Sequence, residues 1–139
     1  MHIVNHLILW AVFVVLFTAG VTALEVAEGY KITTTEYYGL RNIGGTFIVM
    51  FLLAAFLFYP FTLFPFALLI RKLYKRLLPR IVVYVALGGF GGLLLFDFIY
   101  KEDFVVEYGL HESSAVILCG LIGLIYSCCE HFVYRKPFL

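Results

Sequence analysis

Arg71-Lys72-Leu73-Tyr74-Lys75-Arg76-Leu77-Leu78-Pro79-Arg80 holds five of the ten basic residues in a chain of 139. Long apolar runs flank it on both sides. Because 63% of the residues are hydrophobic and only 14% are charged, a small water-soluble globule would leave too much apolar surface exposed. The runs are also long enough for helices that cross a bilayer, which takes roughly 20 residues each. Four spans are predicted, at about 3–24, 44–64, 81–100 and 113–134. The fold class that follows is an all-α integral membrane protein forming a single transmembrane domain, with a basic loop at 65–80.

Charge sets the expected orientation. Arg71, Lys72, Lys75, Arg76 and Arg80 share one side with Arg135 and Lys136, whereas Glu25, Glu28, Glu36, Glu102, Asp103, Glu107 and Glu112 fall in the two loops on the other. Lys and Arg near span ends stay in the cytoplasm, so both termini are expected there, in a cell membrane. The same asymmetry argues against dual insertion. The first span has no Lys or Arg before its apolar run, which favours a retained helix over a secretory signal.

Local signals refine the picture. Tyr30, Tyr37 and Tyr38 suit the headgroup zone, and Trp10 is expected to pack within its span. Pro60 and Pro65 interrupt the second apolar run, since each removes a backbone donor and crowds the preceding turn. The crossing is expected to end near Phe64. A short amphipathic helix over 66–78 would then rest on anionic headgroups through the basic block, with Pro79 ending it. Gly88 and Gly92 form a G-x-x-x-G in span three; Ala115, Cys119, Gly123 and Ser127 form a small-residue stripe in span four. Such faces let helix backbones approach closely, so spans three and four are expected to pack together, or one stripe to form a homodimer.

Two acids lie within apolar sequence. Asp97 sits about one turn from the end of span three, with Lys101 four residues on; Glu130 sits near the end of span four, beside His131. An ionisable group in a span is costly and marks a candidate function. The two belong at opposite faces of the membrane and cannot serve one reacting centre. His2, His6, Cys128, Cys129 and His131 are metal-ligand types at the terminal end, but neighbouring helical cysteines diverge by about 100° and no metal site is inferred. Ser113 and Ser114 are read as helix caps. With no nucleophile, metal-protease or phosphate-loop motif, the chain is read as non-enzymatic, with no catalytic residue, no cofactor and no nucleic-acid partner.

Tyr59-Pro60-Phe61 running to Phe64-Pro65-Phe66-Ala67 before the basic loop, Gly123-Leu124-Ile125-Tyr126, and the tail Tyr134-Arg135-Lys136 together carry a family resemblance. On these the chain resembles small uncharacterised four-span membrane proteins of Bacillus and related bacteria. That resemblance implies a bacterial cytoplasmic membrane and supplies no activity or site. The expected role is an accessory, regulatory or immunity-type protein that binds another membrane component, with the lipid bilayer and a membrane protein or second copy as partners. The alternative is a small oligomeric ion or proton transporter using Asp97 and the Pro-broken second span.

Overall fold

The computed structural model describes residues 2–31, 43–100 and 102–135. The described residues are helical throughout their regular structure, with no strand among them. Helix α1 runs His2–Ala27 and ends in a 3-10 turn, Gly29–Lys31. Helix α2 runs Gly45–Phe58, passes through a π-helical turn at Tyr59–Leu63, and continues as α3, Phe64–Leu73. Helix α4 is Leu77–Ile99, α5 is the short Glu102–Tyr108, and α6 is Glu112–Arg135. Four segments are long and apolar enough to cross a membrane: Ile3–Lys31, Gly45–Leu73, Leu77–Ile99 and Glu112–Arg135. The integral-membrane, all-α architecture follows from these.

The helices pack as a sequence of neighbours, α2 on α1, α1 on α6 and α6 on α4, with the last pair in closest association. Glycine makes that association. A Cβ on Gly88 would collide with the Cys119 carbonyl oxygen, and one on Gly123 with the Tyr84 carbonyl oxygen. A Cβ on Gly92 would lie 2.5 Å from the Ala115 oxygen. Backbone against backbone is the contact that small residues permit and larger ones forbid. Gly88, Gly92, Ala115, Cys119 and Gly123 therefore join helices of the same chain.

The π turn follows from Pro60. Lacking an N–H, Pro60 cannot donate to the carbonyl four residues back, at Phe56. In hydrocarbon a bare carbonyl is expensive. Trp10 of α1 supplies the missing donor: its indole Nε1 donates to the Phe56 oxygen at 2.9 Å, and its ring stacks on Phe56 with centroids 4.5 Å apart. Trp10 thus packs as expected and also repairs the backbone of α2.

Three local expectations are corrected. Pro79 does not end a helix. It lies in the first turn of α4, where its missing N–H would have no intrahelical partner in any case, and the break falls instead at 74–76. The amphipathic helix is accordingly Phe64–Leu73, shorter than 66–78, and it runs on from the preceding apolar helix as one segment, Gly45–Leu73, instead of starting after a crossing that ends near Phe64. Glu25 and Glu28 do not sit in an exposed loop; helix α1 carries Glu25 to its end, and both residues are buried. Tyr37, Tyr38, Glu36, Lys101 and Lys136 lie outside the described residues.

Candidate functional site

The end of the bundle at which α1 begins and α6 finishes gathers most of the buried polar side chains. Helix α4 places Arg80 and Tyr84 one turn apart, and the antiparallel α6 places Tyr126, Glu130 and Tyr134 at the same spacing. The pairs Arg80/Tyr84 and Tyr126/Glu130, each at i, i+4, face each other and bring these four groups into contact. Arg80 Nη1 donates to Glu130 Oε1 at 3.2 Å, and the Tyr84 hydroxyl donates to Glu130 Oε2 at 2.6 Å. Glu130 is 1% exposed and Arg80 is 9% exposed. Both carboxylate oxygens are thus occupied, one by a cation and one by a short charge-assisted bond. A second Arg80 nitrogen, Nη2, lies 3.4 Å from His131 Nδ1, while its Nε is buried with no partner among the described residues.

A tyrosine pair extends the cluster. The hydroxyls of Tyr59, from the π turn, and Tyr126 are 2.7 Å apart, and the Tyr126 ring meets Tyr84 edge-on at 5.3 Å. The π turn therefore has a second consequence, because it presents Tyr59, 2% exposed, toward α6. At the rim Arg71 of α3 lies over the Tyr134 ring, 3.3 Å from its centre, as a cation on an aromatic face. The Tyr134 hydroxyl is 3.0 Å from His6 Nδ1, so the start of α1 meets the end of α6. Between His6, Tyr59, Arg71, Tyr126, Glu130 and Tyr134 lies a cavity of ≈ 10 Å³, about the room one water needs.

At the opposite end Glu28 accepts from three donors: Lys31 Nζ at 2.9 Å, the His111 backbone N–H at 3.1 Å and Ser114 Oγ at 2.6 Å. Ser114 was expected to cap α6; its hydroxyl instead ties α6 to the end of α1. The Tyr100 hydroxyl donates to Glu25 at 2.9 Å, and a Cβ on Gly29 would collide with that carboxylate. Each end of the bundle is thus closed by a buried glutamate held from neighbouring elements.

No protein-family model, no curated protein and no solved structure matches the chain. The site is therefore interpreted from its own chemistry.

The sequence-derived candidates separate clearly. Glu130 is central to the buried cluster. Asp97 is exposed on the outward side of α4, with no partner among the described residues and at the other end of the bundle. Of the five basic residues assigned to headgroup contact, Arg80 is instead buried on Glu130 and Arg71 is half-buried on Tyr134; Lys72, Lys75 and Arg76 are exposed. Ser127 is buried and its hydroxyl returns to the Leu124 carbonyl at 2.8 Å. No group of three or more candidate metal ligands occurs among the described residues.

Tyr59, Tyr84, Tyr126 and Trp10 carry roles that sequence reading did not assign. Two signals for them were present: a polar residue four positions from a charged one in each of two antiparallel spans, and a proline that leaves a nameable carbonyl bare. Chemically the cluster joins α4 and α6 through an ion pair and hydrogen bonds, with only Arg80 Nε left unpaired among its described polar atoms.

Proposed function

We propose that the protein is a non-enzymatic membrane interaction protein that receives another membrane component laterally. The observation that carries this reading is a shallow groove of ≈ 540 Å³ on the outside of α1 and α2, lined by Val15, Thr18, Ala19, Thr22, Ala23 and Leu52. Ala19 and Ala23 are exposed one turn apart, the small-xxx-small pattern that admits a second transmembrane helix. The Thr18 hydroxyl oxygen beneath this groove is buried with no hydrogen-bond partner among the described residues, whereas the Thr22 hydroxyl donates to the Thr18 carbonyl.

The outward position of Asp97 argues against a path through a single bundle, so the oligomeric transport alternative would have to place that residue between copies of the chain. The setting we propose is a bacterial cytoplasmic membrane with both termini inside, supported by the basic bias and by the family resemblance. Thiol labelling of intact cells tests the orientation. Cysteine at Tyr30 is expected to react with an impermeant reagent, and cysteine at Lys75 only after permeabilisation; the reverse pattern would invert the topology.

The interaction itself is tested by cross-linked recovery of the tagged protein from its native membrane, followed by mass spectrometry. Ala19→Leu with Ala23→Leu fills the groove from exposed positions and leaves the internal contacts intact. Recovery of the dominant partner is expected to drop about tenfold, the equivalent of roughly 1.4 kcal/mol. Unchanged recovery would remove the groove from the interaction. Ion flux through purified protein in liposomes would instead support the transport reading.

A further inference from the structure

We propose that the corner between α3 and α4 binds the headgroup of an anionic phospholipid. This inference is independent of the groove. In sequence the basic block is one unit, but the structure divides it. Arg80 is committed to Glu130, and Arg71 to the Tyr134 ring. Lys72, Lys75 and Arg76 remain exposed around the non-helical turn at 74–76. Glu130 is the one acid at this end among the described residues, and its carboxylate is already held by Arg80 and Tyr84. Three cations therefore stand without a counter-charge among the described residues.

The backbone adds to the same field. Helix α4 begins directly after Arg76 with no side-chain cap and no acidic residue in its first turn. The N–H groups at a helix start have no intrahelical partners, and they carry the positive end of the helix dipole. Phosphate oxygens suit such donors. Here the helix start is joined by an independent feature, the cluster of exposed cations that surrounds it.

Apolar residues decide between a lipid and a free anion. Leu73, Tyr74 and Leu78 are interleaved with the cations and are 64%, 40% and 74% exposed. A tyrosine with one wet end suits the headgroup level, and leucines below it suit the first acyl methylenes. Basic groups at the cytoplasmic end of membrane helices attract anionic lipids in this arrangement. A soluble phosphate would leave the leucines without a partner.

The test reconstitutes the full chain in bilayers of equal phosphatidylglycerol and phosphatidylcholine and measures which spin-labelled lipid is held at the protein surface. Phosphatidylglycerol is expected to be preferred. That preference should fall about fivefold or more in K72Q/K75Q/R76Q. On the unaltered protein, high salt should erase it, since exposed charges are screened within about 10 Å at 0.1 M ionic strength and closer still above it. Excess inorganic phosphate should leave it in place. Equal retention of the two lipids, a preference unchanged by the triple substitution or by salt, or full displacement by inorganic phosphate would each overturn the proposal.

Discussion

Glu130→Ala is expected to destabilise the bundle by roughly 3–5 kcal/mol, the largest effect of any single substitution considered for this protein. The substitution removes the carboxylate partner of a guanidinium that is nine-tenths buried and leaves its charge uncompensated. It also takes the acceptor from the Tyr84 hydroxyl. The charge, more than the hydrogen bonds, sets the size of the effect. Neutral interhelical hydrogen bonds in membranes average about 0.6 kcal/mol, so Tyr59→Phe, which breaks the pair with Tyr126, should be nearly silent. Tyr84→Phe loses a bond to a charged acceptor and should fall between them, at about 1.5–3 kcal/mol.

A double variant separates cost from benefit. Arg80→Met with Glu130→Leu replaces both charges by apolar groups and should recover most of the loss, because the ion pair must first be taken out of water. Unfolding in detergent with increasing denaturing surfactant, followed by circular dichroism, measures all four variants. If Glu130→Ala unfolds with the unaltered protein, the Arg80–Glu130 pair is not holding α4 to α6.

Gly88→Ala is the second large effect, and Gly91→Ala is its internal control. Both replace glycine within the same helix, so each gains the same intrinsic preference of up to about 1 kcal/mol. They differ in what the added methyl meets. At Gly91 nothing lies within 4 Å; at Gly88 the methyl runs into the Cys119 carbonyl oxygen. A side chain could swing away, but a carbonyl fixed in α6 cannot, so the helices must separate along their closest line. Overpacking of this kind typically costs about 1–3 kcal/mol. Gly91→Ala should therefore match or exceed the unaltered protein in thermal unfolding, with Gly88→Ala below it. Gly123→Ala, against the Tyr84 carbonyl, should behave like Gly88→Ala. Equal stability of the Gly88 and Gly91 variants would mean that α4 and α6 do not approach as closely as described.

Much of this was legible in the sequence, for particular reasons. The four spans follow from run length and composition, since crossing a fixed thickness of hydrocarbon is a local requirement on each segment. The α4–α6 contact was legible as two small-residue stripes, because only close backbone approach gives glycine an advantage at those positions. That Pro60 leaves a carbonyl without its helical donor was legible, because the missing N–H is a property of the residue itself. The identity of its replacement, Trp10, was not, since 46 residues separate donor and acceptor.

The basic block marks the boundary most clearly. By itself the sequence determined that the chain is a bundle of apolar helices and that cations collect at one end, because hydrophobic length and charge segregation act locally. Only the tertiary structure decided that Arg80 belongs to Glu130 and Arg71 to Tyr134, leaving Lys72, Lys75 and Arg76 outside. It also decided that Glu28 is buried beneath Ser114, and that Asp97, the acid that stands out in the sequence, faces outward. Each outcome depends on which helices are neighbours and how they are rotated. A buried charge must find its partner across that geometry, and no spacing along a single helix encodes it.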